Sequence, residues 1–354
     1  MSYAIAAAGT GGHVFPGLAV GEALAASGVA RDHVLYIGGS RLESVVYPDH
    51  GFPFLEVELA GLQRRLTAEN LRIPLIVRRA TAQIASVIEE RRVGAVLGMG
   101  GYVTVPAGLA ARRRGIPLAV SEQNAHAGLA NRVMSKLAEV AFGAFPETRG
   151  MPRARWVGNP VRAGVLEHVD PMAARERFGL PQGGFVVGAF GGSLGAGAIN
   201  TAIADSVDEW SRHSISVLHL VGERNRRLVE GAEGHGHWVV VPFEERMQDF
   251  YAACDLVVAR SGGAVAELTA TGTPSILVPG TFGSGGHQSA NAGYLADAGA
   301  AVVIAEEDLH DLADVVIALS QDRRRLDEMA AATRKLAKPD AAAIIAGELR
   351  SMHG

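Results

Sequence analysis

Short apolar runs closed by Gly or Pro recur along the chain with helix-length stretches between them. In the first half they read YAIAAA, HVLYIG, VGAVLGMGG and IPLAVSEQN; in the second, FVVGAFGG, ISVLHLVG, WVVVPF, DLVVARSGG, PSILVPG and AAVVI. Strands that are apolar throughout belong to sheets covered on both faces, and helices between successive strands make such sheets parallel. An α/β protein is predicted. The pattern also restarts, because FVVGAFGGSLGAGAIN at 185–200 repeats the strand, glycine turn and helix of the N-terminal start. A second doubly wound domain therefore begins near VGNPVR at 157–162, and two Rossmann-like domains, 1–160 and 161–335, are expected to face each other across a cleft.

Glycine clusters at 9–12, 98–101, 191–197 and 262–263 all follow predicted strands, where open α/β sheets bind their ligands. None is a dinucleotide fingerprint: GTGGHV has Val14 where a third glycine is wanted, and GGSLGAG lacks the acidic residue about 20 positions on. No Walker lysine follows any of them. Two readings stay open, a backbone that presents helix N–H groups to phosphate or sugar and one that only packs helix against sheet. His13, in the first turn, adds an imidazole whose ordinary pKa of about 6.5 suits proton transfer at neutral pH. Its plainer role is to hydrogen-bond the turn.

Polar side chains cluster at the same places. Tyr102, Glu122, Gln123, Asn124 and Asn131 stand at or just after strand ends in GMGGYVTVPAGLAA and SEQNAHAGLANR. Groups that both donate and accept suit the hydroxyls of a sugar, although helix capping by Asn and Glu would use the same residues. In the second half, VARSGGAVAELTATG ends a strand on Arg260 and Ser261, opens a helix at Gly262–Gly263 and sets Glu267 about a turn inside it. Helix amides and an arginine suit a diphosphate, and a carboxylate one turn on suits the paired hydroxyls of a ribose. Gln288 and Asn291 in HQSANA are three apart and share a helix face.

Composition narrows the class. With 354 residues, 48% hydrophobic and 20% charged, there is material for two cores. The single cysteine, Cys254, rules out an internal disulfide framework and makes a cytoplasmic setting the default. MSYAIAAAGTGG has no basic leader, and no apolar segment approaches the roughly 18–20 residues of a membrane span, so no spanning segment is expected. The charge is uneven: residues 1–160 carry 17 Lys+Arg against 12 Asp+Glu, whereas 161–354 carry 16 against 25. The two halves are expected to face different partners, neither of them nucleic acid.

GTGGHVFPGLAV, GMGGYVTVPAGLAA, EQNAHAGLANR, VGNPVR, GGSLGAGAIN, RSGGAVAELTATGTPSILVP and HQSANA occur in the order and at about the spacing of the MurG family, which the chain resembles over essentially its whole length. That family is the N-acetylglucosaminyltransferase of bacterial peptidoglycan synthesis. The resemblance implies GT-B architecture, with an acceptor-binding and membrane-facing first domain, a UDP-GlcNAc-binding second domain, and a C-terminal helix over 336–354 returning to the first. It implies inverting transfer of GlcNAc from UDP-GlcNAc to the C4 hydroxyl of the muramoyl sugar in undecaprenyl-pyrophosphoryl-MurNAc-pentapeptide, lipid I, giving lipid II. His13 and Glu122 are the implied catalytic residues. Thr10, Gly11, Gly12 and Asn124, with Arg162, Ser193, Gly263, Ala264, Glu267, Gln288 and Asn291, are the implied donor contacts. Tyr102, Gln123, Asn131 and Asn200 are the implied acceptor contacts.

No Asp-x-Asp motif occurs, so catalysis is expected to need no metal or other cofactor, with helix amides and arginine stabilising the departing UDP. The sequence departs from the family pattern at Ser121, commonly His, at Leu194, commonly Gln, and in a stretch from Arg260 to Glu267 that is one residue shorter than usual. Another two-domain UDP-sugar enzyme, such as a 2-epimerase or a glycolipid transferase, and a non-catalytic nucleotide-sugar sensor of the cell-wall machinery are the alternatives.

A lipid-linked acceptor further implies a peripheral protein on the cytoplasmic face of the membrane, within reach of other cell-wall synthesis or division proteins. LQRRLTAENLRIPLIVRR at 62–79 mixes Leu71, Ile73, Leu75, Ile76 and Val77 with Arg64, Arg65, Arg72, Arg78 and Arg79, and ARRRG at 111–115 extends the basic set. Such a surface suits anionic lipid, or equally an ordinary helix with its arginines in solvent.

Overall fold

The computed structural model describes residues 1–58, 73–191, 196–222, 225, 237–280 and 286–352. The chain divides into two compact units, Met1–Arg162 with Pro339–Gly354, and Ala163–Lys338.

In the first unit the strands are β1 (Ser2–Ala6), β2 (Val34–Gly38), β3 (Phe54–Glu56), β4 (Val93–Gly98), β5 (Leu118–Glu122), β6 (Val140–Gly143) and β7 (Arg155–Trp156). They form one sheet in the order β3-β2-β1-β4-β5-β6-β7, parallel at every pairing. The helices are α1 (Gly11–Ala26), α2 (Glu43–Asp49), α3 (Ile73–Glu90), α4 (Thr104–Arg114) and α5 (Leu129–Met134). Successive residues of a strand point to opposite faces, so Ala4, Ala6 and Ala8 join the core with Ile84 and Ile88 of α3 and Ala107 and Ala111 of α4. Tyr3, Ile5 and Ala7 pack on the other face, against Leu18 and Leu24 of α1. The same face takes Ile345, Ala346 and Leu349 from the last helix of the chain, Ala341–Ser351.

The second unit carries β8 (Phe185–Phe190), β9 (Ile215–Leu220), β10 (Trp238–Val241), β11 (Leu256–Ala259), β12 (Ser275–Leu277) and β13 (Ala301–Val303). The sheet order is β10-β9-β8-β11-β12-β13, again parallel. Its helices are α6 (Pro171–Arg177), α7 (Gly197–Arg212), α8 (Met247–Ala253), α9 (Ala264–Thr271), α10 (His287–Asp297), α11 (Leu312–Gln321) and α12 (Arg323–Lys335), which makes Ala341–Ser351 α13. Trp210 of α7, fully buried, packs with Ile203, Leu312 and Val316 over β8, β9 and β11.

Both units therefore repeat one winding, in which the first strand is flanked by the second on one side and the fourth on the other. The order reverses between β1 and β4, and between β8 and β11. Crevices open at such reversals, and in the sequence a glycine cluster follows each of these four strands.

Candidate active site

The turn leaving β1 holds Gly9 at φ +101°, where a side chain would be strained. Thr10 follows as the N-cap of α1, and its hydroxyl lies 3.2 Å from Nδ1 of His13. Gly11 and Gly12 fill the first turn between them. The opposite side of the imidazole meets the β4 exit: a Cβ on Gly100 would lie 2.7 Å from His13 Cδ2 and 2.9 Å from Nε2, and one on Gly101 would strike the Ala8 carbonyl. GMGG is glycine-rich because two strand exits close on each other with an imidazole between them. Thr104, fully buried, fixes that turn by accepting from Gly100 N at 2.9 Å.

β5 ends on Glu122, whose carboxylate is 2% exposed and fully engaged. Oε1 accepts from Gln123 N, Asn124 N and Asn124 Nδ2 at 3.0–3.1 Å. Oε2 accepts from Gly128 N at 3.0 Å and Asn131 Nδ2 at 2.8 Å. Glu122 thus organises the EQN loop, and its place among the catalytic residues becomes a positioning one. Gln123 and Asn131, both buried, each donate to the Ser121 carbonyl, at 2.9 and 3.0 Å. A Cβ on Gly100 would lie 3.3 Å from Asn131 Nδ2, so this loop borders the His13 pocket.

Tyr102, an implied acceptor contact, donates its hydroxyl proton to Glu43 Oε1 at 3.2 Å. Burial, with the Glu43 carboxylate beside it, pushes the phenol up to about 12. Arg162 closes the first unit with its guanidinium 4.7 Å over the Phe15 ring.

In the second unit, Gly263 is the N-cap of α9 with no side-chain cap, Ala264 is its first residue, and Glu267 lies in its first turn. Glu267 Oε2 accepts from the Tyr251 hydroxyl at 2.8 Å. Gln288 and Asn291 do share a face of α10, and they tie it to the strand exits: Gly280 N donates to Gln288 Oε1 at 2.7 Å, Ser261 Oγ to the Gln288 carbonyl at 2.8 Å, and Asn291 Nδ2 to the Ser261 carbonyl at 2.9 Å. Arg260, expected beside a diphosphate, is 7% exposed, donates to the Val278 carbonyl at 3.2 Å and pairs with Glu306 at 2.5 Å.

Asn200 is not placed to touch an acceptor. It is fully buried in α7, donates to the Val221 carbonyl at 2.9 Å and meets His219 Nε2 at 3.1 Å. Ser193 and Leu194, like Arg64, Arg65, Leu71 and Arg72, lie outside the described residues. The sequence reading missed Thr104, which closes the turn four residues before it, and Glu43, Tyr251 and Glu306, each of which pairs with a group distant in sequence. Among the described residues, no cluster of three or more His, Cys, Asp or Glu is placed to hold a metal ion.

Comparison with known proteins places this geometry. The glycosyltransferase family 28 N-terminal domain matches residues 3–142 and the family 28 C-terminal domain residues 186–345. The UDP-N-acetylglucosamine--N-acetylmuramyl-(pentapeptide) pyrophosphoryl-undecaprenol N-acetylglucosamine transferase of Halorhodospira halophila is 41% identical over 345 residues, 96% of this chain and 94% of the relative. Among solved structures, Acinetobacter baumannii MurG superposes with a TM-score of 0.75 at 28% identity, covering 99% of this chain and all of that one. A Neisseria meningitidis UDP-GlcNAc 2-epimerase bound to UDP-GlcNAc reaches a TM-score of 0.69 at 14% identity, covering 99% of this chain and all of that one; this likeness shows the fold alone. The fold is thus shared with epimerases, but the likeness in sequence runs with the transferases from one end of the alignment to the other, and the chain belongs to the MurG family.

Proposed function

We propose that the chain transfers N-acetylglucosamine from UDP-N-acetylglucosamine to N-acetylmuramyl-(pentapeptide) pyrophosphoryl-undecaprenol, the reaction for which its relative is named. The observation that carries this reading is the 41% identity across 96% of the chain. The placement of His13 supplies a mechanism. The imidazole takes the proton of the muramoyl C4 hydroxyl as that oxygen attacks the anomeric carbon, and the C–O bond to UDP breaks on the opposite face, with inversion. Negative charge gathers on the leaving diphosphate, where the N-terminus of α9 at Gly263 and Ala264 offers peptide N–H groups and a favourable dipole. Glu267 holds the ribose hydroxyls, with Tyr251 steadying its carboxylate. Since Arg260 is paired with Glu306, it shapes the site and leaves the diphosphate to the amides.

The acceptor side belongs to the EQN loop and to the turn around His13, and no resident metal is assigned. The test is a product assay with radiolabelled UDP-GlcNAc and a short-chain lipid I analogue. A labelled disaccharide lipid is expected. Release of free sugar, or epimerised nucleotide sugar alone, would contradict the reading.

We also propose that the first unit docks on anionic lipid at the cytoplasmic membrane face, since its acceptor is lipid-linked. No helix among the described residues is long and apolar enough to cross a membrane. Support comes from Leu75, 49% exposed on α3, beside the exposed Arg78 and Arg79, and from exposed Arg112 and Arg113 on the adjoining α4. Arg114 is drawn away, donating to the Ala85 carbonyl at 3.2 Å and pairing with Glu89 at 2.5 Å. Each basic residue near such a surface contributes about 1 kcal/mol, and the attraction shrinks as the screening length falls from about 10 Å at 0.1 M salt to about 3 Å at 1 M. Sedimentation with anionic vesicles should be strong at low salt, lost at high salt and weakened by reversing these four arginines to Glu. Equal binding by the reversed variant would remove this surface from the assignment.

A further inference from the structure

The Glu43 carboxylate, fully buried at the start of α2, has no part in the reaction described so far. Gly9 N–H donates to both of its oxygens at 3.3 Å. Gly39 N–H donates to Oε1 at 3.1 Å and the Tyr102 hydroxyl to the same oxygen at 3.2 Å. Space is cleared for it: a Cβ on Gly38 would lie 2.7 Å from Glu43 Cγ, and one on Gly39 would strike the Tyr102 hydroxyl. The exits of β1, β2 and β4 therefore meet on one anionic group. Two of those exits also hold the His13 imidazole, through Thr10 on one side and Gly100 on the other. Gly9 directly precedes Thr10, and Tyr102 stands two residues after Gly100.

We infer that Glu43 is a positioning residue for His13: by binding the β1 and β4 exits at once, it sets the width of the gap in which the imidazole is held. The inference rests on the transfer reaction proposed above and deepens it. Were Glu43 a space-filler, glutamine of the same volume would serve as well. Glutamine serves less well, because with its oxygen at the Oε1 position its amide nitrogen faces Gly9 N–H, and in the flipped orientation it faces the Gly39 and Tyr102 donors. The turn would then relax and the imidazole would move with it.

The test uses the full-length chain, with Glu43→Gln and Tyr102→Phe alone and each combined with His13→Ala. A shift of about 1 Å in a reacting group costs about 10²-fold in rate, so Glu43→Gln should lose about that factor in kcat while KM for UDP-GlcNAc stays within about twofold. Tyr102→Phe, which removes one tether of three, should lose about tenfold. Neither substitution should slow His13→Ala further. Effects that multiply with His13→Ala, or wild-type kcat in both single variants, would overturn the inference.

A second readout does not depend on turnover. In protein carrying ¹⁵N-histidine, both substitutions should move the imidazole resonances of His13, and unmoved resonances would overturn the inference whatever the wild-type chain transfers. If Glu43→Gln fails to fold, Tyr102→Phe carries both measurements. A wild-type chain that moves no GlcNAc would retire the transfer reading alone, leaving the resonances to decide the role of Glu43.

Discussion

In the first sheet the chain leaves β1 and β4 through glycine turns that close on an imidazole, whereas in the second it leaves β11 into a helix N-terminus backed by Glu267 and an Arg260–Glu306 ion pair. Strand order is common to both, so topology places a crevice in each but does not decide what the crevice does. The furnishing of the exits decides it. Around His13 the buried carboxylates Glu43 and Glu122 are satisfied largely by peptide N–H groups, an arrangement that fixes backbone turns rigidly. Around α9 the carboxylate of Glu267 is half-buried and accepts from the Tyr251 hydroxyl, so part of it stays accessible beside the helix N-terminus. Rigid positioning suits proton transfer, and accessible polar groups suit holding a nucleotide sugar.

The contrast can be broken at several points, taken here from the largest effect to the smallest. His13→Ala should cut turnover by about 10²–10⁴, as expected for loss of a general base. Steady-state kinetics with the lipid I analogue measures it, and unfolding of the variant in place of lost turnover would make the histidine a structural one. Glu122→Ala should destabilise the first unit by roughly 3–5 kcal/mol, because the peptide N–H groups of Gln123, Asn124 and Gly128 lose their acceptor and the Asn131 amide keeps only the Ser121 carbonyl. Urea denaturation reads that loss, and a stability within about 0.5 kcal/mol of wild type would show that the loop is held by something else.

In the second unit, burial lowers the His219 imidazole to about 4, below the value near 6.5 expected once unfolded. The unfolded chain then binds the extra proton first. This group's contribution is therefore intact above about pH 6.5 and falls by about 1.4 kcal/mol per pH unit down to about 4. Denaturation at pH 7, 6 and 5 should show that slope, and His219→Gln should reduce it by the same amount. Smallest is Glu267→Ala: if the carboxylate holds the ribose as proposed, the variant should bind UDP-GlcNAc more weakly by about 0.5–3 kcal/mol at little cost to folding.

Much of the architecture was legible because it is written locally. All ten apolar runs became strands, from Ser2–Ala6 to Ala301–Val303. The strands missed were Phe54–Glu56, Val140–Gly143 and Arg155–Trp156, too short to carry a pattern of their own and present because neighbouring strands offered an edge. The glycine turns were visible too, since positive φ and close approach demand glycine whatever surrounds it.

Hydrogen-bond partners were not. Ser40 and Glu43 have the spacing of a capping box, yet the Glu43 carboxylate reaches Gly9, 34 residues back, and the hydroxyl of Tyr102, 59 residues on. Tyr102, Asn200 and Arg260 look, in the sequence, like groups awaiting a ligand. In the fold they are held by Glu43, His219 and Glu306, because a buried polar group needs a partner and the sheet brings distant ones within reach.

The division of labour between the two furnished exits is tested most directly by titrating UDP-GlcNAc calorimetrically into His13→Ala and Glu267→Ala side by side. His13→Ala should bind the donor within about twofold of wild type, and Glu267→Ala should bind it more weakly by about 0.5–3 kcal/mol. Donor affinity lost in His13→Ala and kept in Glu267→Ala would contradict the account.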